Sequence, residues 1–319
     1  MRIQVIAHNK KYSEYSPYRW DRMPILLGKN GHVVDHVLKK DWRNFYPRYM
    51  GFKPDIVISA GVIGFLPAFL KKIGLIKVPV IHDWVDDYAD IMPKKYSRAL
   101  IAFLEKFTVM NSDIVTTQSM YRVARGRSWG KDVKFFPQGV NTGFGKKKVI
   151  KLKGKFKLLY SGTISHNKRV DRLIEAVEGL GCELYLIGER DKDFAAKAGP
   201  NVHFIGKVKN ENLPAYLKSA DVLVLTMDAD STLKMYEYLK AGKPILGIRG
   251  KLNYILKHKE NAYLTEDLRE GAETLMKDKR IAGKISKGAR KFKVFTWEQV
   301  GKMYSDYVSE QGRRIKCAV

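Results

Sequence analysis

The sequence predicts an α/β protein of two domains, each built around a parallel β-sheet. Apolar runs of strand length alternate with helical stretches along the whole chain, which is the pattern of βαβ units. The chain has 319 residues, enough for two such domains. A Gly- and Pro-containing segment, 137–145, followed by the basic run 146–155, interrupts the alternation. This break predicts a domain boundary at residue 145.

Six apolar runs in the first half have the length of strands, and stretches with helical spacing separate them. This alternation indicates a parallel sheet built from βαβ units. The predicted strands are 3–7, 33–38, 56–59, 78–81, 114–117 and 133–136, and the predicted helices include 18–29, 66–73 and 98–110.

The alternation restarts in the second half and predicts a second domain of the same class. The final stretch, 298–311, has apolar residues at helical spacing, so its apolar face must cover another surface. The predicted strands are 156–161, 183–187, 202–205, 222–226 and 245–248. The predicted organisation is a first domain over 1–145, a second over 146–296 and a terminal helix over 297–319.

Charge and cysteine content restrict the setting of the protein. Lysine and arginine total 59 against 33 acidic residues, a formal net charge of +26. This excess predicts contact with an anionic membrane surface, a phosphorylated acceptor or, least favoured, nucleic acid, unless it only aids solubility. No apolar run approaches the roughly 20 residues that span a bilayer. The two cysteines lie far apart and outside any metal-binding spacing. The expected location is therefore the cytoplasm, with peripheral contact at the inner membrane face left open.

The segment 225–248 carries the most specific chemistry. A buried strand leads into a polar turn, and a helix that begins near Ser231 ends at Gly242. A helix N-terminus at the carboxyl edge of a parallel sheet binds anions. Lys234 and Glu237 share one helix face, where the Glu237 carboxylate can accept hydrogen bonds from two vicinal hydroxyls of a ribose. The segment predicts a nucleotide-diphosphate site.

The same segment resembles a known family. Residues 231–244, STLKMYEYLKAGKP, are similar to the S-x-x-K-x-x-E-Y-x-A-x-G-K-P block of the retaining GT-B glycosyltransferases of family 4. The resemblance implies that the glutamate holds the donor ribose and that backbone amides at the start of the helix hold the donor phosphates. Many members also have an earlier glutamate that contacts the sugar, and Ala229 stands at that position here. The donor residues implied are Ser231, Thr232, Leu233, Lys234 and Glu237.

A second segment, 161–176, resembles the phosphate clamp of this family, G-R-L-x-x-x-K-G-x-D-x-L-I-x-A. Lys168 matches the clamp lysine, whereas Thr163 stands where the family has an arginine. Arg169 or His166 could supply the missing cation, and cations here would stabilise the charge that develops on a departing diphosphate. Two further stretches, 186–190 and 202–208, resemble family loops that contact the nucleotide. The residues implied there are Gly188, Gly206 and Val208.

Acidic residues follow a predicted strand of the first domain, within residues 79–88, and resemble the family's P-V-x-x-D-x-x-D segment. The resemblance implies that its two carboxylates bind hydroxyls of the sugar or the acceptor, and they join Lys168 as candidate catalytic residues. Val85 stands where many relatives have a histidine. The stretch 16–20 is similar to an S-x-Y-R variant near the cleft. The candidates of this domain are Asp83 and Asp86 for catalysis, Arg19 and His82 for the acceptor side, and Asp87 as a helix cap.

The resemblance implies a GT-B fold, in which two doubly wound Rossmann-like domains face a cleft and the C-terminal helix crosses back to the first domain. It implies retaining transfer of a hexose-type sugar from a nucleotide diphosphate to an acceptor glycan or lipid, without a cofactor or metal. Two alternatives stay open. One is a non-hydrolysing sugar-nucleotide epimerase on the same fold. The other is a non-catalytic binding subunit, which the departures at Thr163, Val85 and Ala229 favour.

Two other patterns call for an interpretation. Asp228-Ala-Asp230 matches the short D-x-D motif of a different glycosyltransferase fold, but hard divalent cations need more oxygen ligands than this, so no metal is expected. The segment 39–53 and the cluster 122–131 mix cations with aromatic residues. That mixture suits an anionic membrane interface or single-stranded nucleic acid, and a loop packed by its aromatic residues is the alternative.

Overall fold

The protein is an α/β protein of two compact units, which confirms the predicted fold class. The computed structural model describes residues 1–7, 19–91, 97–141, 149–195, 198–229 and 231–317. The first unit comprises residues 1–138 and 297–319, and the second comprises residues 139–296. The chain thus leaves the first unit inside the turn segment 137–145 and returns to it at the start of the terminal helix.

A six-stranded parallel sheet forms the centre of the first unit. Its strands are β1 (Arg2–Ala7), β2 (Val33–Leu38), β3 (Ile56–Ala60), β4 (Val80–Trp84), β5 (Ile114–Thr117) and β6 (Val133–Phe135). They lie in the order β2-β1-β3-β4-β5-β6. Strands β1, β3 and β4 are almost completely buried, as expected for strands with helices on both faces. The sheet brings the carboxyl ends of β3, β4 and β5 to one edge.

Helices connect these strands, as parallel pairing requires. They are α1 (Arg19–Lys29), α2 (Phe45–Phe52), α3 (Phe65–Lys72), α4 (Tyr88–Ile91), α5 (Arg98–Asn111), α6 (Met120–Ser128) and the terminal α12 (Trp297–Cys317). Serine side chains cap α5 and α6: the hydroxyls of Ser97 and Ser119 accept hydrogen bonds from backbone amides of the first turn. Capping of this kind fixes where both helices begin.

The terminal helix α12 packs on α1 within the first unit. Three members of its predicted apolar face, Val300, Tyr304 and Val308, are fully buried. The Tyr304 ring meets the Trp20 ring edge to face, with ring centres 6.0 Å apart. His32 shares a 2.7 Å hydrogen bond with the hydroxyl of Ser305. The amphipathic pattern of the last segment is therefore accounted for by packing on α1.

The second unit has a parallel sheet of its own. Its strands are β7 (Lys157–Ser161), β8 (Glu183–Ile187), β9 (Val202–Gly206), β10 (Val222–Leu225), β11 (Ile245–Ile248) and β12 (Tyr263–Thr265), in the order β12-β11-β10-β7-β8-β9. Its helices are α7 (Val170–Val177), α8 (Leu213–Ser219), α9 (Leu233–Ala241), α10 (Leu268–Lys277) and α11 (Lys279–Lys291). This strand order is that of a dinucleotide-binding Rossmann sheet.

None of the helices in the described part of the chain is long and apolar enough to cross a bilayer.

Candidate functional site

The sheet of the second unit changes its winding direction between β7 and β10. The chain continues from β7 to β8 and β9 on one side, and from β10 to β11 and β12 on the other. Loops that leave the carboxyl ends of two such strands diverge, and α/β proteins bind ligands in the crevice between them. Lys168 follows β7 and Lys234 follows β10. The two predicted donor-site lysines therefore converge on the switch point of the sheet.

The loop after β7 holds Lys168 through its backbone. The Ser165 hydroxyl accepts a hydrogen bond from the Lys168 amide (3.3 Å), and the Thr226 hydroxyl, just past β10, donates to the Lys168 carbonyl oxygen (2.5 Å). Arg169 has a left-handed backbone conformation, with φ of 53°, and α7 begins directly after it. The main chain of Lys168 is thereby tied to both switch-point strands, while the side chains of Lys168 and Arg169 are exposed.

Lys234 reaches from the first turn of α9 back to β7. Its Nζ donates to the Tyr160 hydroxyl (2.8 Å) and lies 4.1 Å from the centre of that ring. The same hydroxyl donates to the carbonyl oxygen of Thr163 (2.9 Å). Gly162 leaves room for the ammonium group, since a side chain there would collide with it. Tyr160, which lies in a run that predicted only a strand, thus joins the predicted residues Thr163 and Lys234.

The electrostatics of this pair favour an anion. Burial, and after it the positive charge of Lys168, lowers the pKa of Lys234 to about 7, against an opposing effect of Glu237. Two ammonium groups that repel each other are relieved when an anion binds between them. Strongly shifted lysines are common at functional sites for this reason. Glu237 lies one turn further along α9, close enough to Lys234 to oppose this lowering of its pKa.

The N-cap residue of α9 does not cap the helix with its side chain. Thr232 is the N-cap, one residue after the predicted Ser231, because Thr232 has the extended backbone that precedes Leu233. The Thr232 side chain makes no capping hydrogen bond. Among the described residues, the buried hydroxyl of Ser231 also has no hydrogen-bond partner. Neither of these two described side chains thus accepts a hydrogen bond from the amides of the first turn, and an anion could do so.

Two glycines allow the loops after β7 and β8 to touch. Gly188 has φ of 144°, and a side chain at this position would collide with the Gly162 carbonyl oxygen. The Gly188 amide donates to the carbonyl oxygen of Gly206 (3.0 Å). Gly206 itself has φ of 77°. Gly188 thus lies beside the β7 loop, whereas Gly206 and the following Val208 belong to the outer strand β9 and its loop, on the far side of β8.

The predicted catalytic residue Asp83 lies in the first unit and is fully buried at the end of β4. One carboxylate oxygen accepts hydrogen bonds from Arg19 Nε (2.8 Å) and Trp20 Nε1 (2.7 Å). The other oxygen accepts from the Thr116 hydroxyl (2.6 Å). Arg19 also donates to the carbonyl oxygen of Pro137 (3.1 Å). With its oxygens occupied and no exposure, Asp83 is placed to hold α1 on the sheet rather than to contact a substrate.

The other candidates of the first unit separate from one another. His82 points to the opposite face of the sheet, where Nδ1 shares a 3.0 Å hydrogen bond with Ser59, and burial lowers the pKa of His82 to about 4. Asp86 is exposed just after β4. Asp87, predicted as a helix cap, directly precedes α4 and forms an ion pair with Arg125 (2.9 Å). Of these residues, only Asp86 presents an exposed carboxylate.

Asp228, the first residue of the D-x-D pattern, is held by a hydrogen bond between two loops. An oxygen of Asp228 accepts a hydrogen bond from the Lys251 amide (2.5 Å), which ties the loop after β10 to the loop after β11. Asp230 lies outside the described residues. No group of three or more potential ligands that could hold a metal ion occurs in the described ranges.

The two basic-aromatic segments of the first unit are packed to different degrees, and the cations of segment 39–53 are exposed. Arg122 is 1% exposed and donates to the Val85 carbonyl oxygen (2.7 Å), and Lys131 donates to the Ser112 carbonyl oxygen. In segment 39–53, Phe45 and Tyr49 belong to the hydrophobic core. The cluster 122–131 is thus internal at Arg122 but not at Arg127, which is exposed, and contact of either segment with an anionic surface stays a prediction.

A family model matches the part of the chain that contains the candidate site. Residues 155–278, which include β7, Lys168, Lys234 and Glu237, match the family model described as glycosyl transferases group 1. No curated protein matches the chain at a significant level. The family match covers residues of the second unit only.

Solved structures share the fold of the entire chain. Sucrose-phosphate synthase from Thermosynechococcus elongatus is 16% identical, with full coverage of both chains and a TM-score of 0.78. HepE from Anabaena, solved in complex with UDP and glucose, is 14% identical over 96% of this chain and 99% of that chain, with a TM-score of 0.68. A putative UDP-N-acetylglucosamine 2-epimerase from Listeria monocytogenes is 13% identical over 98% of each chain, with a TM-score of 0.57. Residues 155–278 are thus similar to glycosyl transferases group 1, on a two-domain α/β fold of the GT-B class.

Proposed function

We propose that the protein is a retaining glycosyltransferase that moves a hexose-type sugar from a nucleotide diphosphate to an acceptor glycan or lipid. The observation that carries this proposal is the pair of ammonium groups of Lys168 and Lys234 beside Glu237, at the switch point of a sheet whose sequence matches glycosyl transferases group 1. HepE, which shares the fold, was solved with UDP and glucose. UDP-glucose is therefore the first donor to test.

In this proposal the second unit binds the donor and stabilises its leaving group. Lys168, Lys234 and the N-terminus of α9 hold the diphosphate and balance the charge that it gains as the glycosidic bond breaks. Glu237 accepts hydrogen bonds from the ribose hydroxyls. The departing phosphate oxygen takes the proton of the acceptor hydroxyl on the same face of the sugar, so that no protein nucleophile is required. The protein contributes by orienting the reactants.

Calorimetry with nucleoside diphosphates tests the donor site. Replacing Glu237 with alanine should weaken binding by roughly 1–3 kcal/mol, because charge-assisted hydrogen bonds to the ribose are lost. Glu175→Ala on the exposed face of α7 is the matched control and should leave the affinity unchanged. If Glu237→Ala binds as well as the wild type, Glu237 is only a helix residue.

A donor assay with several nucleotide sugars separates transfer from the two alternatives. Release of nucleoside diphosphate indicates transfer or hydrolysis, and interconversion of the donor sugar indicates an epimerase of the kind found on this fold. Nucleotide binding without either reaction would favour a non-catalytic subunit, which the substitutions at Thr163, Val85 and Ala229 motivate.

Transfer should not require a divalent cation. The proposed phosphate contacts come from ammonium groups and backbone amides, which replace the charge of a metal ion. Activity should therefore be the same with and without EDTA. Loss of activity in chelator that manganese restores would contradict this and return attention to Asp228 and Asp230.

A further inference from the structure

Two neighbouring helices of the first unit, α3 and α5, present a continuous aromatic surface. The rings of Phe65 and Phe69 on α3 stack with centres 5.8 Å apart, and Phe65 lies 5.0 Å from Phe107 on α5. Phe107 in turn lies 6.3 Å from Phe103, one turn earlier on α5. The contacts join both helices into one surface, which we name the α3–α5 face.

This face is unusually exposed for apolar residues. Phe103 is 62% exposed and Leu100 is 55% exposed, and both lie on the side of α5 opposite its buried residues. Ile73, at the end of α3, is 51% exposed. Scattered apolar residues on a surface are ordinary, but a contiguous patch indicates a binding surface. The exposed large apolar residues of these two helices and the turn after α3 are Phe69, Ile73, Leu75, Leu100, Phe103 and Met110.

The charged residues of α3 and α5 are mostly basic. α3 has Lys71 and Lys72 and no acidic residue, and α5 has Arg98 and Lys106. The single acidic residue of the two helices, Glu105, is 5% exposed and accepts a hydrogen bond from Trp84 Nε1 (2.5 Å). Asp113, just past α5, pairs with Lys71 at 3.3 Å. The exposed charged residues that the two helices contribute are therefore cationic.

The lysines lie along aromatic rings in the manner of interfacial residues. Lys72 Nζ lies 5.0 Å from the ring centre of Phe107, and Lys106 Nζ lies 5.5 Å from that of Trp129. Long cationic side chains that cover apolar surface with their stems can keep their charged ends in the headgroup layer. Apolar and aromatic residues rimmed by lysines match an anionic bilayer both in polarity and in charge.

We propose that the α3–α5 face binds the surface of a bilayer that contains anionic lipids. Phe103 and Leu100 enter the boundary between headgroups and acyl chains, while Lys72 and Lys106 contact lipid phosphates. This deepens the proposed function, because it would bring the first unit to a lipid-linked or membrane-bound acceptor. Nucleotide binding by the second unit is measured in parallel, so that failure of the membrane surface and failure of the donor site can be told apart.

Co-sedimentation with phosphatidylcholine vesicles, with and without phosphatidylglycerol, tests the proposal on the full chain. The protein should bind the anionic vesicles, and binding should fall as salt is raised. Leu100→Ser with Phe103→Ser should reduce the partition coefficient at least tenfold, and Lys72→Gln with Lys106→Gln should do so at low salt. Since all four side chains lie on the surface or at its edge, thermal unfolding should change little.

Matched controls distinguish binding by the α3–α5 face from nonspecific attraction by the net charge of the protein. Val33→Ser removes an equally exposed apolar side chain of β2, and Lys284→Gln with Lys287→Gln removes the same charge from α11. Both should bind vesicles as the wild type does. Equal loss in the controls, binding to RNA but not to vesicles, or a dimer in solution that Phe103→Ser dissociates would each overturn the proposal. Nucleotide affinity should remain that of the wild type in every variant.

Discussion

Replacing Asp83 with alanine should destabilise the first unit by about 3–5 kcal/mol, because it leaves Arg19 charged and buried without its partner. The Trp20 indole and the Thr116 hydroxyl would lose their acceptor at the same time. All five tryptophans, Trp20, Trp42, Trp84, Trp129 and Trp297, belong to this unit. Tryptophan fluorescence in a denaturant titration therefore follows its unfolding without interference from the second unit.

A surface carboxylate provides the control for this measurement. Asp306 on α12 pairs with Lys302 in solvent, and removing it should change the stability by no more than about 1 kcal/mol. Asp83→Asn should also be destabilised, since the charge of Arg19 is again uncompensated, and folded protein should bind nucleotide with unchanged affinity. An Asp83→Asn protein of normal stability that has lost transfer activity would instead support the catalytic role first inferred for Asp83.

The sequence did not predict that the strand before the acidic residues extends through Asp83. The strand before Asp83 was predicted at 78–81, whereas β4 spans Val80–Trp84. Hydrophobicity alone ended the strand at the first polar residues, His82 and Asp83. Both are buried because partners distant in sequence, Ser59 and Arg19, satisfy them. Such partners cannot be identified from a single sequence.

Four strands were predicted with the bounds that the structure has. The bounds of β2, β5, β8 and β11 agree with the prediction, because these strands are delimited by polar or turn-forming residues. The strand β12 was missed, since Tyr263–Thr265 has only three residues and no alternation long enough to recognise. Short edge strands are defined by pairing, here with β11, rather than by their own composition.

The candidate donor site was predicted in outline and not in its contacts. Lys168, Lys234 and Glu237 follow the ends of strands, and parallel topology brings such residues to one edge. Nothing in the sequence marked Tyr160 as part of the site, because a tyrosine near the end of an apolar run is also typical of a core residue. Its hydrogen bonds to Lys234 and to the loop after β7 appear only when both strands are placed side by side.

Nucleotide binding should be accompanied by proton uptake at Lys234. With its pKa lowered to about 7 by burial and by Lys168, Lys234 is mostly neutral in the free protein at pH 8. A bound diphosphate favours the charged form and raises the pKa, so about one proton per nucleotide should be taken up at this pH. The affinity for the nucleotide should accordingly fall as the pH rises from 7 to 9. In this range Lys234 loses its proton in the free protein, and binding must restore it.

Calorimetry in two buffers with different ionisation enthalpies, HEPES and Tris, measures this uptake directly. Lys234→Met retains packing against Tyr160 and removes the ammonium group, so it should abolish the uptake and flatten the pH dependence. The loss of a charge-assisted hydrogen bond should also weaken binding by about 1.5–3 kcal/mol, or roughly 10- to 150-fold in Kd. Lys240→Met, exposed in the last turn of the same helix, is the matched control and should behave as the wild type. Identical enthalpies in both buffers for the wild type would mean that Lys234 is already charged in the free protein, and the anion site would then have to be assigned to Lys168 and the start of α9 alone.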